Sequence, residues 1–168
     1  KLIVGTIAAL LTVGIGALSV TSTLGGNTPS LPRPDHIVMV IEENHSYSQI
    51  IDSPNAPYIN QLASQSAVFT QSFGITHPSQ PNYLALFSGS MQRMTDNSCP
   101  LTFTTPNLGQ ALLATGLTFA GYSEDLPSVG SLICSMGLYA RKHNPWVNWQ
   151  GSVVNGLPAT ANLPMTSF

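Results

Sequence analysis

Charge is scarce in this chain: five Lys or Arg and seven Asp or Glu in 168 residues, 7% of the total. With so few cations there is no basic patch to neutralise a phosphate backbone, so nucleic acid is not an expected partner. Cysteine is equally rare. Cys99 and Cys134 are the only two, and neither has a second Cys or a His at ligand spacing, which leaves a structural zinc site without donors. A glycine-rich phosphate loop, an internal repeat and a heptad run are all absent, so nucleotide kinase chemistry, solenoids and coiled coils have no support. Disorder is not expected either, because 43% of the residues are apolar.

What is present begins with an uncharged apolar run. Residues 2–20 follow Lys1 without a single charge, the order of an export signal, and the run is also long enough to span a bilayer. Residues 1–22 are therefore expected to be a signal peptide or an N-terminal anchor. The small residues around Ala17-Leu18-Ser19 favour cleavage, and residues 2–20 are the possible membrane attachment. Both readings place the remainder outside the cytoplasm, secreted or at the cell surface, where a lone Cys99 and Cys134 pair is most simply a disulfide. Residues 23–34, rich in Thr, Gly, Ser and Pro, read as a flexible spacer, and the folded part is expected over residues 35–168.

His36-Ile37-Val38-Met39-Val40-Ile41 is apolar and β-branched without alternation, which predicts a strand buried on both faces. Residues 57–66 predict a helix from Ile59, Leu62 and Ala63, with Pro57 in its first turn, and Ala67 to Phe73 a further strand. Ser79 to Ser88 predicts a helix with Ser79 as N-cap and Gly89 just past its end. Asn107 to Thr115 predicts another, followed by a strand over Leu117 to Tyr122. Leu163 to Phe168 reads as the start of a strand. Such alternation is the signature of an α/β fold. A chain end inside an apolar run would leave an unpaired edge, so the sequence is expected to be C-terminally truncated.

Two places carry candidate chemistry. Glu42-Glu43-Asn44-His45 follows the first predicted strand, and the carboxyl ends of parallel strands form the crevice where ligands bind. Glu43 and Asn44 are hard oxygen donors for a divalent cation, although a polar turn with Asn44 capping a helix fits the same residues. Ser79 at a helix N-terminus is either an ordinary cap or a hydroxyl placed where unpaired N–H groups and the helix dipole favour phosphate.

Ser79-Gln80-Pro81-Asn82-Tyr83, followed by Phe87-Ser88-Gly89, resembles the nucleophile segment of the alkaline phosphatase superfamily. More closely, residues 36–89 resemble the phosphoesterase family of acid phosphatases and phosphatidylcholine-type phospholipases C, through Glu43-Asn44, Ala56-Pro57-Tyr58 and His77-Pro78-Ser79-Gln80-Pro81-Asn82-Tyr83. A second block, Tyr122 to Pro127 and then Tyr139-Ala140-Arg141-Lys142-His143-Asn144-Pro145, extends the resemblance towards the end of the chain.

The resemblance implies an alkaline phosphatase-like α/β fold, a largely parallel sheet flanked by helices. It implies metal-dependent hydrolysis of phosphoric esters through a phosphoserine on Ser79, with His77 assisting as acid or base. Asn82 and His143 would contact the phosphoryl oxygens, and Glu43, Asn44 and Ser79 would hold a divalent metal of unknown identity. The substrate would be a small phosphomonoester or a phospholipid. Further ligands that the family carries, in an Asp-Gly-His-Asp-like motif and an acidic pair, are missing from this sequence, so the polypeptide alone is expected to be inactive or nearly so. A phospholipase C-type phosphodiesterase and a non-catalytic phosphate-ligand binding protein are the competing readings. His36 and His45 receive no role, and the sulfatase signature is absent.

Overall fold

A computed structural model of the protein describes residues 33–168; the leader and nearly all of the spacer lie outside the described residues. The chain divides into two units, Lys1–Ser46 and Tyr47–Phe168.

In the first unit, residues 33–46 form neither helix nor strand. The expected strand over residues 36–41 is not formed, and Ile37, Val40 and Ile41 are 82%, 72% and 48% exposed. A strand is buried on both faces only when neighbours bond to both of its edges and other layers cover it. Among the described residues no strand pairs with it.

The second unit opens with two short helices, α1 (Tyr47–Ile50) and α2 (Pro57–Ser64). Pro57 sits in the first turn of α2, where its missing N–H costs nothing. Residues 67–73, expected as a strand, are irregular and exposed for the same want of a partner. Next come α3 (Ser79–Ser88) and α4 (Leu108–Ala114). Both match expectation closely. Gly89 closes α3 in the left-handed conformation with φ +68°, a geometry that glycine adopts without Cβ strain, while Asn107 caps α4 by accepting the N–H of Gln110 at 2.9 Å.

Two small sheets follow. β1 (Gly121–Ser123) lies parallel to β4 (Asn162–Pro164), with Gly121 opposite Asn162 and Tyr122 opposite Leu163. β2 (Ser135–Met136) and β3 (Tyr139–Ala140) form a hairpin. The protein is thus a small α/β structure with a parallel pair and helices. The strand expected over residues 117–122 begins only at Gly121, where a side chain would overlap the Trp146 indole. The final apolar run is a strand only in its first part: Leu163 is paired with β1, residues 165–167 turn into a 3₁₀ helix, and Phe168 meets Tyr122 edge to face at 5.1 Å.

The core sits under α3. Its buried positions Gln80, Tyr83, Leu84 and Phe87 follow one helical face, and Pro81 at its border is buried as well. Leu84 and Phe87 pack with Trp149 and Leu157, flanked by Phe103, Phe119 and Trp146. The Phe87 ring lies 5.5 Å from Phe119 and 5.6 Å from Trp149, tilted or edge-on as aromatic quadrupoles prefer. The helix carrying Ser79 is therefore among the most firmly held elements of the unit.

Candidate functional site

Ser79 is the first residue of α3, not its N-cap; that position belongs to Pro78, which has no side chain able to cap. The cap comes from a distant loop. Asn97 Oδ1 accepts the backbone N–H of Gln80 at 3.1 Å, and the buried Gln80 side chain donates back to the Ser98 carbonyl at 2.9 Å. Pro81 has no N–H to offer. The expectation of several unpaired N–H groups awaiting a phosphate therefore fails at Gln80 and Pro81, whereas the favourable dipole at Ser79 remains.

The turn before α3 is moulded by Asn82. Its Oδ1 accepts the N–H groups of Ile75 and Thr76, both at 3.1 Å, and its Nδ2 donates to the carbonyls of Thr76 at 2.6 Å and Pro78 at 3.2 Å. Asn60, likewise the fourth residue of its helix, donates to the carbonyls of Ile50, Ser53 and Ala56 and accepts from the Asp52 N–H. In both places an asparagine one turn into a helix folds its amide back to satisfy the incoming loop. Asn82 thus spends both ends of its amide on the backbone that delivers Ser79. His77, in that loop, is exposed.

His143 ends the 3₁₀ turn Arg141–His143, and its ring packs against Tyr83 of α3 with centroids 5.4 Å apart. Tyr83 lies one helical turn after Ser79, so the two motifs singled out in the sequence meet on one face of α3. Arg141 fixes this turn from beneath. It is 5% exposed, and its guanidinium donates to Asn148 Oδ1, the Leu132 carbonyl and the Leu101 carbonyl at 3.2, 2.8 and 2.7 Å. Burial lowers its pKa from the ordinary arginine value. Behind His143, Asn144 Nδ2 donates to Tyr139 Oη and Asn162 Oδ1, and Trp146 Nε1 donates to the same Asn162 oxygen. Burial raises the Tyr139 pKa, against the lowering effect of the Asn144 hydrogen bond and the Arg141 charge.

The Cys99–Cys134 disulfide is formed, with Cα atoms 5.9 Å apart. It joins the loop that caps α3 to the segment leading into Arg141, whose N–H donates to the Cys134 carbonyl at 2.9 Å. Asp96 Oδ1 accepts from the Ser98 N–H and the Ser98 hydroxyl at 3.0 and 2.6 Å, and these two bonds lower its pKa. Asn97 was not singled out in the sequence, where the polar Asp96-Asn97-Ser98 run is the one local signal that could have found it, and Gln80 and Arg141 entered only as members of the quoted motifs, without roles.

Glu43 and Asn44 lie in the first unit, in its irregular exposed stretch, and Ser79 lies in the second. By side-chain chemistry alone the three carry one carboxylate, one amide and one hydroxyl oxygen. A hard divalent cation takes six or more oxygens, so these three donors would not complete a set. Among the described residues no three His, Cys, Asp or Glu gather where a metal ion would bind. A shallow cleft of about 610 Å³, lined by Glu124, Asp125, Met136 and Met165 among others, contains none of Ser79, His77, Asn82 or His143.

Residues 52–165 match the model of the Phosphoesterase family. The chain is 45% identical to a phosphatidylinositol-3-phosphatase of Mycobacterium tuberculosis, over 95% of this chain and 54% of that protein. It is 28% identical to a probable acid phosphatase of Kluyveromyces lactis, over 74% of this chain and 31% of the relative. An acid phosphatase of Aspergillus fumigatus is also 28% identical, over 75% and 29%. The chain therefore spans about half, or less, of the length of these curated relatives. No solved structure gives a significant match.

Proposed function

This chain belongs to the phosphoesterase family, and on that premise we propose that it carries the nucleophile segment of a phosphoric-ester hydrolase with an alkaline phosphatase-like arrangement. Ser79 Oγ attacks phosphorus and gives up its proton; the P–O bond to the alcohol breaks, and the alcohol leaves protonated. Water then cleaves the Ser79 phosphoester and releases phosphate. His77, two residues before the nucleophile in the chain, is the group proposed to move the proton between Ser79, the leaving oxygen and water. His143 is proposed to hold a phosphoryl oxygen.

The observation that supports this reading is the Tyr83 to His143 ring contact, which unites on one helix face two motifs far apart in the chain. Asn82 is assigned a different part from the one expected. Because its amide is spent on residues 75–78, it acts as a positioning residue for the Ser79 turn and not as a phosphoryl contact.

Metal dependence enters the proposal only through Glu43 and Asn44, which would give two oxygens to a divalent ion, the others coming from elsewhere in the protein. When bound, that ion would polarise phosphoryl oxygens.

We propose a phosphomonoester as substrate in preference to a diester, since the relatives are named as phosphatases. One of them is named for a phosphoinositide, so a monoester on a lipid headgroup belongs to the same proposal. An extracytoplasmic location agrees with the Cys99–Cys134 disulfide. Among the described residues no helix is long and apolar enough to cross a membrane.

The test is turnover by the full-length protein, with divalent metal, of p-nitrophenyl phosphate against bis-p-nitrophenyl phosphate. Monoester hydrolysis abolished by Ser79→Ala is expected. A preference for the diester would favour the phospholipase C type, and phosphate-ester binding without turnover would favour a binding protein.

A further inference from the structure

We propose that Asn97 is a positioning residue for the Ser79 nucleophile, supplying from a distant loop a side-chain cap to the first turn of α3, whose N-cap residue Pro78 supplies none. This rests on the reading of Ser79 as nucleophile. A serine at the start of a helix ordinarily serves as cap, its oxygen accepting an N–H of the first turn. Here Ser79 stands one position further in, and Pro78 at the cap position has no side-chain acceptor. The need is met by Asn97 Oδ1 on the Gln80 N–H, so the first turn is fixed by a residue 17 positions away.

Three further contacts make Asn97 a rigid support. Gln80, 3% exposed, returns a bond from its side-chain amide to the Ser98 carbonyl, so the loop and the helix are joined twice. The Asp96 carboxylate closes the turn through the Ser98 N–H and hydroxyl. Cys99, next in the chain, is tied to Cys134, whose carbonyl receives the Arg141 N–H two residues before His143. One covalent and hydrogen-bonded path therefore runs from the first turn of α3 to the turn that carries His143. The Gln80 N–H lies on the peptide unit directly after Ser79, so its acceptor sets the orientation from which the Ser79 hydroxyl projects. Displacement of a nucleophile by about 1 Å costs on the order of a hundredfold in rate, and loss of one cap should cost part of that.

The experiment compares wild type, Asn97→Ala, Asn97→Asp and Asn97→Ser in the full-length protein with p-nitrophenyl phosphate, alongside acid-quenched phosphorylation of Ser79. The expected result is that Asn97→Ala lowers kcat about tenfold with KM within about twofold. Asn97→Asp, whose carboxylate accepts the same N–H, should return kcat to within about threefold of wild type. Asn97→Ser, too short to reach Gln80, should behave as Ala does and serves if the Ala variant does not fold. Unchanged kcat in both short variants while Ser79 is phosphorylated overturns the positioning role alone, as does failure of Asp to restore kcat. An active Ser79→Ala variant with no phosphorylated Ser79 in wild type overturns the nucleophile reading and this inference with it.

Discussion

The imidazole of His143 rests on the ring of Tyr83, centroids 5.4 Å apart and planes tilted by 42°. Tyr83 is 8% exposed and belongs to the helix that begins with Ser79, so the position of His143 is set by the same element that sets the serine. Packing and chemistry at His143 are separable by substitution. His143→Phe keeps an aromatic ring on Tyr83 and removes both ring nitrogens. Its melting temperature should stay within a few degrees of wild type while turnover falls about 10- to 100-fold, the scale of one hydrogen bond to a charged group. Turnover close to wild type in a folded His143→Phe protein would reduce the residue to a packing element.

Removal of the disulfide should loosen the cap of α3 and the base of the His143 turn together. Cys99 and Cys134 close a loop of 35 residues, for which chain entropy predicts a contribution of about 3–4 kcal/mol. The Cys99→Ala, Cys134→Ala double variant is expected to show that loss in chemical denaturation, and a lower kcat even where it remains folded. A double variant with wild-type kcat at low temperature would show that the bridge serves stability only.

Acid should act on the same turn through Asp96. Its bonds from Ser98 depress its pKa below the ordinary aspartate value, so its contribution is present above that value of about 3.9 and is lost as pH falls through the depressed one. The difference in melting temperature between wild type and Asp96→Ala should therefore be constant at neutral and mildly acidic pH and should shrink only below about pH 3.9. A difference that already narrows between pH 7 and 5 would assign the effect to another group.

Gly121 offers a probe of the parallel pair. A Cβ there would overlap the six-membered ring of Trp146, whose neighbours Phe87 and Phe119 are themselves packed. Gly121→Ala is expected to cost about 1–3 kcal/mol, measured by urea denaturation, because a packed indole has no free rotamer to retreat into. A neutral result would mean that the indole moves easily.

How much of this was legible beforehand depended on whether local chemistry decides the outcome. The helices at Ser79–Ser88 and Leu108–Ala114 were readable because their signals are local, apolar residues within each and the glycine stop at Gly89, although Asn107 was read as helical and proves to be the cap. The strands over residues 36–41 and 67–73 were read from β-branched and apolar content alone. That content says nothing about whether a partner strand lies alongside, and among the described residues none does. At the candidate site, Ser79 and His143 stood out by motif, and their common face on α3 follows from tertiary packing that no local pattern encodes. Asn82 was assigned to phosphate because its amide suits phosphoryl oxygens; the same donors and acceptor suit backbone equally well, and here the backbone has them. Asn97 and Arg141 act across 17 and 40 residues of chain, respectively, beyond the reach of any short motif.

The central claim is that Ser79 takes the phosphoryl group. Its most direct measurement is acid quenching of the full-length protein during turnover of a ³²P-labelled monoester, followed by identification of the labelled peptide. The label is predicted on Ser79 and is predicted to be absent from Ser79→Ala, which should be inactive. Steady turnover by Ser79→Ala, with label on another residue or on none, would contradict it.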